Sequence, residues 1–191
     1  MKYILSIFIT LFFLSCESNK YESESEYQNC INTKTFERGI LYPLNTSESE
    51  ITKSIDVFDS IKKFENYLEN GKSLSGINKK DYLSLISRID ENEFLKKEFF
   101  EFNFDNYFIE NNLMTPLFFE ELFYDCVMSS FKNQIQYDFI LRTKDKVQLN
   151  SYPNRKILTE LVDKIDFESE TQRLILTYLI YYKLHWKYEM E

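Results

Sequence analysis

The sequence predicts an all-α fold, a single-domain bundle of about six helices. Three observations predict it. Only three Gly and three Pro occur in 191 residues, too few for the tight turns of an all-β sandwich or barrel. Apolar residues recur at steps of three and four along several stretches, the spacing of one helix face. Those stretches are preceded by Ser, Thr, Asn or Pro in helix-start positions. At this length one domain is expected, since domains run to roughly 100–200 residues. Hydrophobic residues make up 43% and aromatic residues 17%, enough apolar surface to offset the conformational entropy of folding.

The elements follow in order. From Ile31 to Asn45 the pattern is irregular, with Gly39, Pro43 and the run Ile40-Leu41-Tyr42, and reads as a loop or a strand-like segment. Ser47-Glu48-Ser49-Glu50 has the form of a capping box. The stripe Ile51, Ile55, Phe58, Ile61, Phe64 and Leu68 continues it as one helix, closed by Gly71 as a left-handed residue. Asn78 starts a second helix with Tyr82, Leu85, Ile86 and Ile89 inward. Asn92 starts a third with Leu95, Phe99 and Phe102. The aromatics between Phe99 and Ile109 fit a helix or an extended stretch equally. Thr115-Pro116 restarts a helix, which carries Phe119, Leu122, Phe123, Cys126 and Val127. Residues 142–152 read as a connection, with room for a brief strand at 146–149. Pro153 opens a helix with Ile157, Leu158, Leu161, Val162 and Ile165 inward. The last starts near Asp166 or Ser169, where Ser169-Glu170-Thr171-Gln172 is a second capping box. Short connections imply pairwise antiparallel packing.

The formal net charge is −8, which argues against nucleic acid as a partner, because an acidic surface repels phosphate and no Lys/Arg cluster makes a local exception. His185 is the only histidine, so paired-histidine zinc sites are excluded and it alone could serve as the base of a triad. A structural place near a helix end suits it better. Glu120, Glu121 and Asp125, with Glu98, Glu101 and Glu110, are the carboxylates an enzyme of this fold would use, but they also fit a solvated face. Asp59-Ser60-Ile61 and Asn45-Thr46-Ser47 match short glycosylation patterns too brief to support a function. Phosphate loops, nucleophile elbows and calcium loops are missing from the sequence. No catalytic residue, metal site or cofactor is assigned.

Met1-Lys2 is a short positive segment, and Tyr3 to Leu14 is an apolar run of a dozen residues. The run is the length of a signal-peptide core and too short for a span, which needs about 20 apolar residues. It ends on Phe13-Leu14-Ser15-Cys16. These residues resemble the lipobox of bacterial lipoprotein precursors, in which a small residue precedes a cysteine that is lipidated before cleavage. Phe13 stands where that family commonly has Leu. The resemblance covers residues 1–16 and implies a signal peptide over 1–15 and palmitate-type acyl chains on Cys16. It also implies a membrane address, the outer membrane rather than the inner because Glu17 is not Asp.

Residues 16–30, acidic and poor in apolar side chains, are expected to be a flexible tether, and 31–191 the helical domain. With Cys16 lipidated, Cys30 and Cys126 remain. They either bridge, as an oxidising envelope favours, or Cys126 packs as a free thiol on the apolar stripe of its helix. The expected function is a non-catalytic protein-binding module on a membrane, an immunity-type protein or an accessory subunit. A carrier of apolar ligands and an enzyme using helix-borne carboxylates are the alternatives.

Overall fold

The structure, a computed structural model, describes residues 24–34, 56–102, 126 and 153–190. Of these, 72% are helical and none lies in a strand, so the fold is all-α. The capping box at 47–50, the strand-like segments at 40–42 and 146–149, and the helix expected from Thr115 lie outside the described residues, except for Cys126, which is helical.

Residues 24–34 form α1. Tyr27 and Ile31 on it are fully buried. The expected tether 16–30 is therefore corrected over 24–30. Polar residues dominate this stretch, but Tyr27 and Ile31 sit four apart on one face, and that is enough to dock a short helix. Its side chains are fixed at successive turns. The Val57 N–H donates to Asn32 Oδ1 at 2.9 Å, the Tyr27 ring meets Phe58 with centroids 6.2 Å apart, and Cys30 is disulfide-bonded to Cys126 across 96 residues of chain.

α2 spans Val57–Asn70. Its cap is Asp56, in extended backbone, whose Oδ1 accepts from the Asp59 N–H at 2.9 Å. The helix expected from Ser47 therefore does not run through Asp56, whose extended backbone starts α2 at Val57; residues 47–55 lie outside the described residues. The periodicity could not show this, since Ile51, Ile55 and Phe58 keep helical steps of four and three across Asp56. At the other end Gly71 remains right-handed at φ −75° and Lys72 takes the left-handed position at φ 61°. Gly71 N–H closes on Tyr67 O at 2.9 Å.

α3 spans Lys79–Ser87 and is capped as the sequence indicates, by Asn78 accepting from the Asp81 N–H at 3.1 Å. α4 spans Lys96–Glu101. Its cap is Leu95 rather than Asn92, and Leu95 is left-handed at φ 61°. A left-handed non-glycine residue costs about 1–2 kcal/mol, while burying a leucine contributes about 1.5–3 kcal/mol. Leu95 is 2% exposed, so burial outweighs the backbone cost.

α5 spans Arg155–Val162 under an Asn154 cap, one residue beyond Pro153. α6 spans Glu170–His185 and passes into a π-helical turn at Trp186–Met190. Every residue from Leu174 to Leu184 is buried, so α6 is the axis of the fold rather than a surface helix with one apolar face. It packs against α2, α4 and α5. α3 and α5 are antiparallel, with Lys79 paired to Asp163 at 3.0 Å and Arg155 bonded to Ser87 O at 3.3 Å. α2 and α6 instead run in the same sense, since Lys62 meets Glu170, Glu65 meets Arg173 and Phe64 meets Tyr181. The antiparallel packing expected is thus seen between α3 and α5 and not between α2 and α6, which are not neighbours in sequence. Among the described residues, no helix is long and apolar enough to cross a membrane.

Candidate functional site

The chemically distinctive residues converge on α6 in three groups. The first is buried. Glu65 of α2 is 1% exposed, although it lies on the apolar stripe between Ile61 and Leu68. Burying a carboxylate is costly unless it is paired and hydrogen-bonded, and Glu65 is both. Arg173 Nε donates to Oε1 at 2.8 Å and Nη2 to Oε2 at 3.3 Å, a two-point grip suited to the planar guanidinium. The Tyr82 hydroxyl of α3 donates to Oε1 and lies 2.7 Å from Thr177 Oγ1. Thr177 in turn donates to the Arg173 carbonyl at 3.1 Å, within α6. The Tyr82 hydroxyl is pushed well above the ordinary tyrosine range, by burial first and then by the adjacent Glu65 charge. Arg173 is raised too: burial alone would lower it, and the bond to Glu65 more than offsets that. With these contacts the group works as a clamp joining α2, α3 and α6.

The second group lies at the start of α6. Ser169 caps the helix, its Oγ accepting from the Gln172 N–H at 3.2 Å. The same Oγ donates to Glu24 Oε1 at 2.6 Å. Thr171 Oγ1 donates to Glu24 Oε2 at 3.2 Å and accepts from Gln28 Nε2 at 2.8 Å. A carboxylate here also faces the positive end of the helix dipole. Gln172 does not complete the capping box expected of it. Its Oε1 accepts instead from the Asp166 N–H at 3.0 Å, which holds the turn leading into α6.

The third group is aromatic and lies at the far end of α6. Phe99 stacks beside Tyr181 at 5.2 Å and Tyr188 at 5.7 Å, and Phe100 beside it is 54% exposed. The Tyr188 hydroxyl donates to Phe94 O at 2.6 Å, and Lys187 Nζ to Ile89 O at 3.0 Å. The Arg88 guanidinium lies 4.2 Å from the Phe94 ring centre.

His185 sits at this end with its ring 6.3 Å from that of Phe99. Glu98 accepts from Ser73 Oγ at 2.7 Å and Glu101 from the Tyr67 hydroxyl at 2.9 Å. That bond raises the Tyr67 hydroxyl above its ordinary range. These two carboxylates tie α4 to the end of α2. Cys16, Glu110, Glu120, Glu121 and Asp125 lie outside the described residues. Cys30 and Cys126 are brought together, with Cα atoms 5.8 Å apart. Asp59 and Ser60 lie in the first turn of α2, and Ile61 is fully buried. Among the described residues, no group of three or more His, Cys, Asp or Glu side chains could hold a metal ion.

Sequence reasoning missed Glu65, Arg173 and Glu24. Glu65 carried a signal, a carboxylate on an inward step of an apolar stripe, and its basic counterpart was the single Arg of α6, placed where the helix's apolar run begins. Glu24 carried none, being one of several acidic residues in an acidic segment. Comparison with protein-family models, with curated proteins and with solved structures finds no match to the chain.

Proposed function

We propose that the chain is an envelope lipoprotein, held by acyl chains on Cys16 in a bacterial membrane, outer rather than inner, and that its helical domain is a non-catalytic module that binds another protein. The observation that carries the reading is the cysteine arrangement. Cys30 and Cys126 pair with each other, which suits an oxidising compartment, and Cys16 is left over at the end of an apolar signal-like run. A thiol at that position is the one a lipid-transfer step would take.

The protein-binding half of the reading draws support from the far end of α6, where Phe100 stands half exposed in an otherwise packed aromatic group. Partner-binding surfaces are enriched in such aromatics over the rest of a protein's exterior. An immunity-type protein and an accessory subunit of an envelope assembly both fit it. The test is cross-linking of the full lipidated chain in its native envelope, followed by purification. A defined polypeptide recovered with the wild type and reduced with Phe100→Ala supports the module. Recovery of the chain alone at saturating cross-linker contradicts it.

A further inference from the structure

We infer that the domain stands on the membrane with the Glu24–Ser169 end of α6 next to the lipid and the Phe100–Tyr188 end facing away. The inference rests on the proposed lipidation of Cys16 and adds to it an orientation. Glu24 is eight residues beyond Cys16 in the chain, so the two are separated by at most about 29 Å, at a limit of ~3.6 Å per residue. Glu24 is buried, and its carboxylate is bonded to Ser169 and Thr171 at the first turn of α6. The disulfide at Cys30 and the Asn32 bond to α2 hold the rest of α1 against the body. The membrane linkage therefore enters the described part of the domain at the start of α6.

From that end α6 runs for 16 residues, a length of about 24 Å at 1.5 Å per residue. Inverting the domain would require the chain between Cys16 and Glu24 to run fully extended alongside α6, using nearly its entire reach. The upright arrangement requires no such extension. It leaves the exposed Phe100, with the partly buried Phe94 and Tyr188 packed near it, on the aqueous side, where a protein partner would meet it.

Trp186 is the only tryptophan in the chain and follows α6 directly, so it reports on the far end. The experiment uses the full lipidated protein on phosphatidylethanolamine/phosphatidylglycerol vesicles carrying a headgroup energy acceptor. Transfer from Trp186 is compared with transfer from the doubly substituted chain Trp186→Phe, Glu168→Trp, which moves the donor to the exposed residue just before the Ser169 cap. Transfer is expected to be about twofold higher or more from position 168, as befits a donor nearer the lipid by about one length of α6. Equal or reversed transfer overturns the orientation. Flotation of the same vesicles separates the two claims. A chain that floats but shows equal transfer retains the lipoprotein reading and loses the orientation, whereas a chain that fails to float overturns both. Circular dichroism of the double variant matching the wild type confirms that the donor reports on the same fold.

Discussion

Arg173 grips the Glu65 carboxylate with two nitrogens, at 2.8 and 3.3 Å, with side chains only 11% and 1% exposed. Because both partners are withdrawn from water, neither tolerates loss of the other. Removing one partner of a buried pair costs about 3–5 kcal/mol, whereas replacing both with apolar groups is often neutral. Arg173→Met is expected to lower the urea-unfolding free energy by about that amount, and Glu65→Leu with Arg173→Met by much less. Equal losses in the single and double variants would show that the pair is not what the clamp depends on.

The clamp also sets a pH response. The Tyr82 hydroxyl is raised well above the ordinary value by burial and by Glu65, so the folded state holds its proton more tightly than the unfolded chain, whose tyrosines ionise near ~10. The contribution to stability is complete below about pH 10 and is lost as pH rises from there through the folded value. Tyr182 and Tyr188, raised by burial, act in the same direction. Tyr82→Phe is expected to shallow the alkaline fall in stability, measured by denaturant titration at stepped pH, without moving the curve's shape near neutrality.

The Cys30–Cys126 disulfide closes a long loop. On the chain-entropy model a loop of this size stabilises by about 4–5 kcal/mol. Cys30→Ala with Cys126→Ala, or reduction of the wild type, is expected to lower the unfolding free energy by a value of that order, and the two treatments should agree. A double variant as stable as the oxidised wild type would remove the disulfide from the account.

Ser169 holds both the first turn of α6 and Glu24. Losing an N-cap side chain costs about 1 kcal/mol, and leaving a buried carboxylate short of a donor adds about 1–3 kcal/mol. Ser169→Ala is expected to destabilise by more than a cap alone and to speed amide exchange in residues 24–34. Exchange unchanged in that helix would show that α1 is held without this contact.

The helix caps at Asn78 and Ser169 were legible because a polar cap followed by an apolar stripe is a local pattern. The all-α class was legible from the scarcity of Gly and Pro for the same kind of reason. What the sequence hid was decided by distant partners. Residues 24–30 look like tether, and 31–34 like loop or strand, until Tyr27 and Ile31 meet the core, and Leu95 breaks the expected Asn92 start because burial outweighs its left-handed backbone. The clamp joins residues 108 positions apart, a pairing that no local pattern encodes. The strongest functional signal, Cys16, is the opposite case: it is local, and it rests on residue order alone.

The most direct test of the lipoprotein account is the mass of the N-terminal peptide of the mature chain from membranes. Trypsin cuts after Lys20, so cleavage and lipidation together predict a peptide that begins at Cys16, ends at Lys20 and carries acyl chains on its first residue. Recovery of Cys16 unmodified, or still joined to Ser15, would contradict the account.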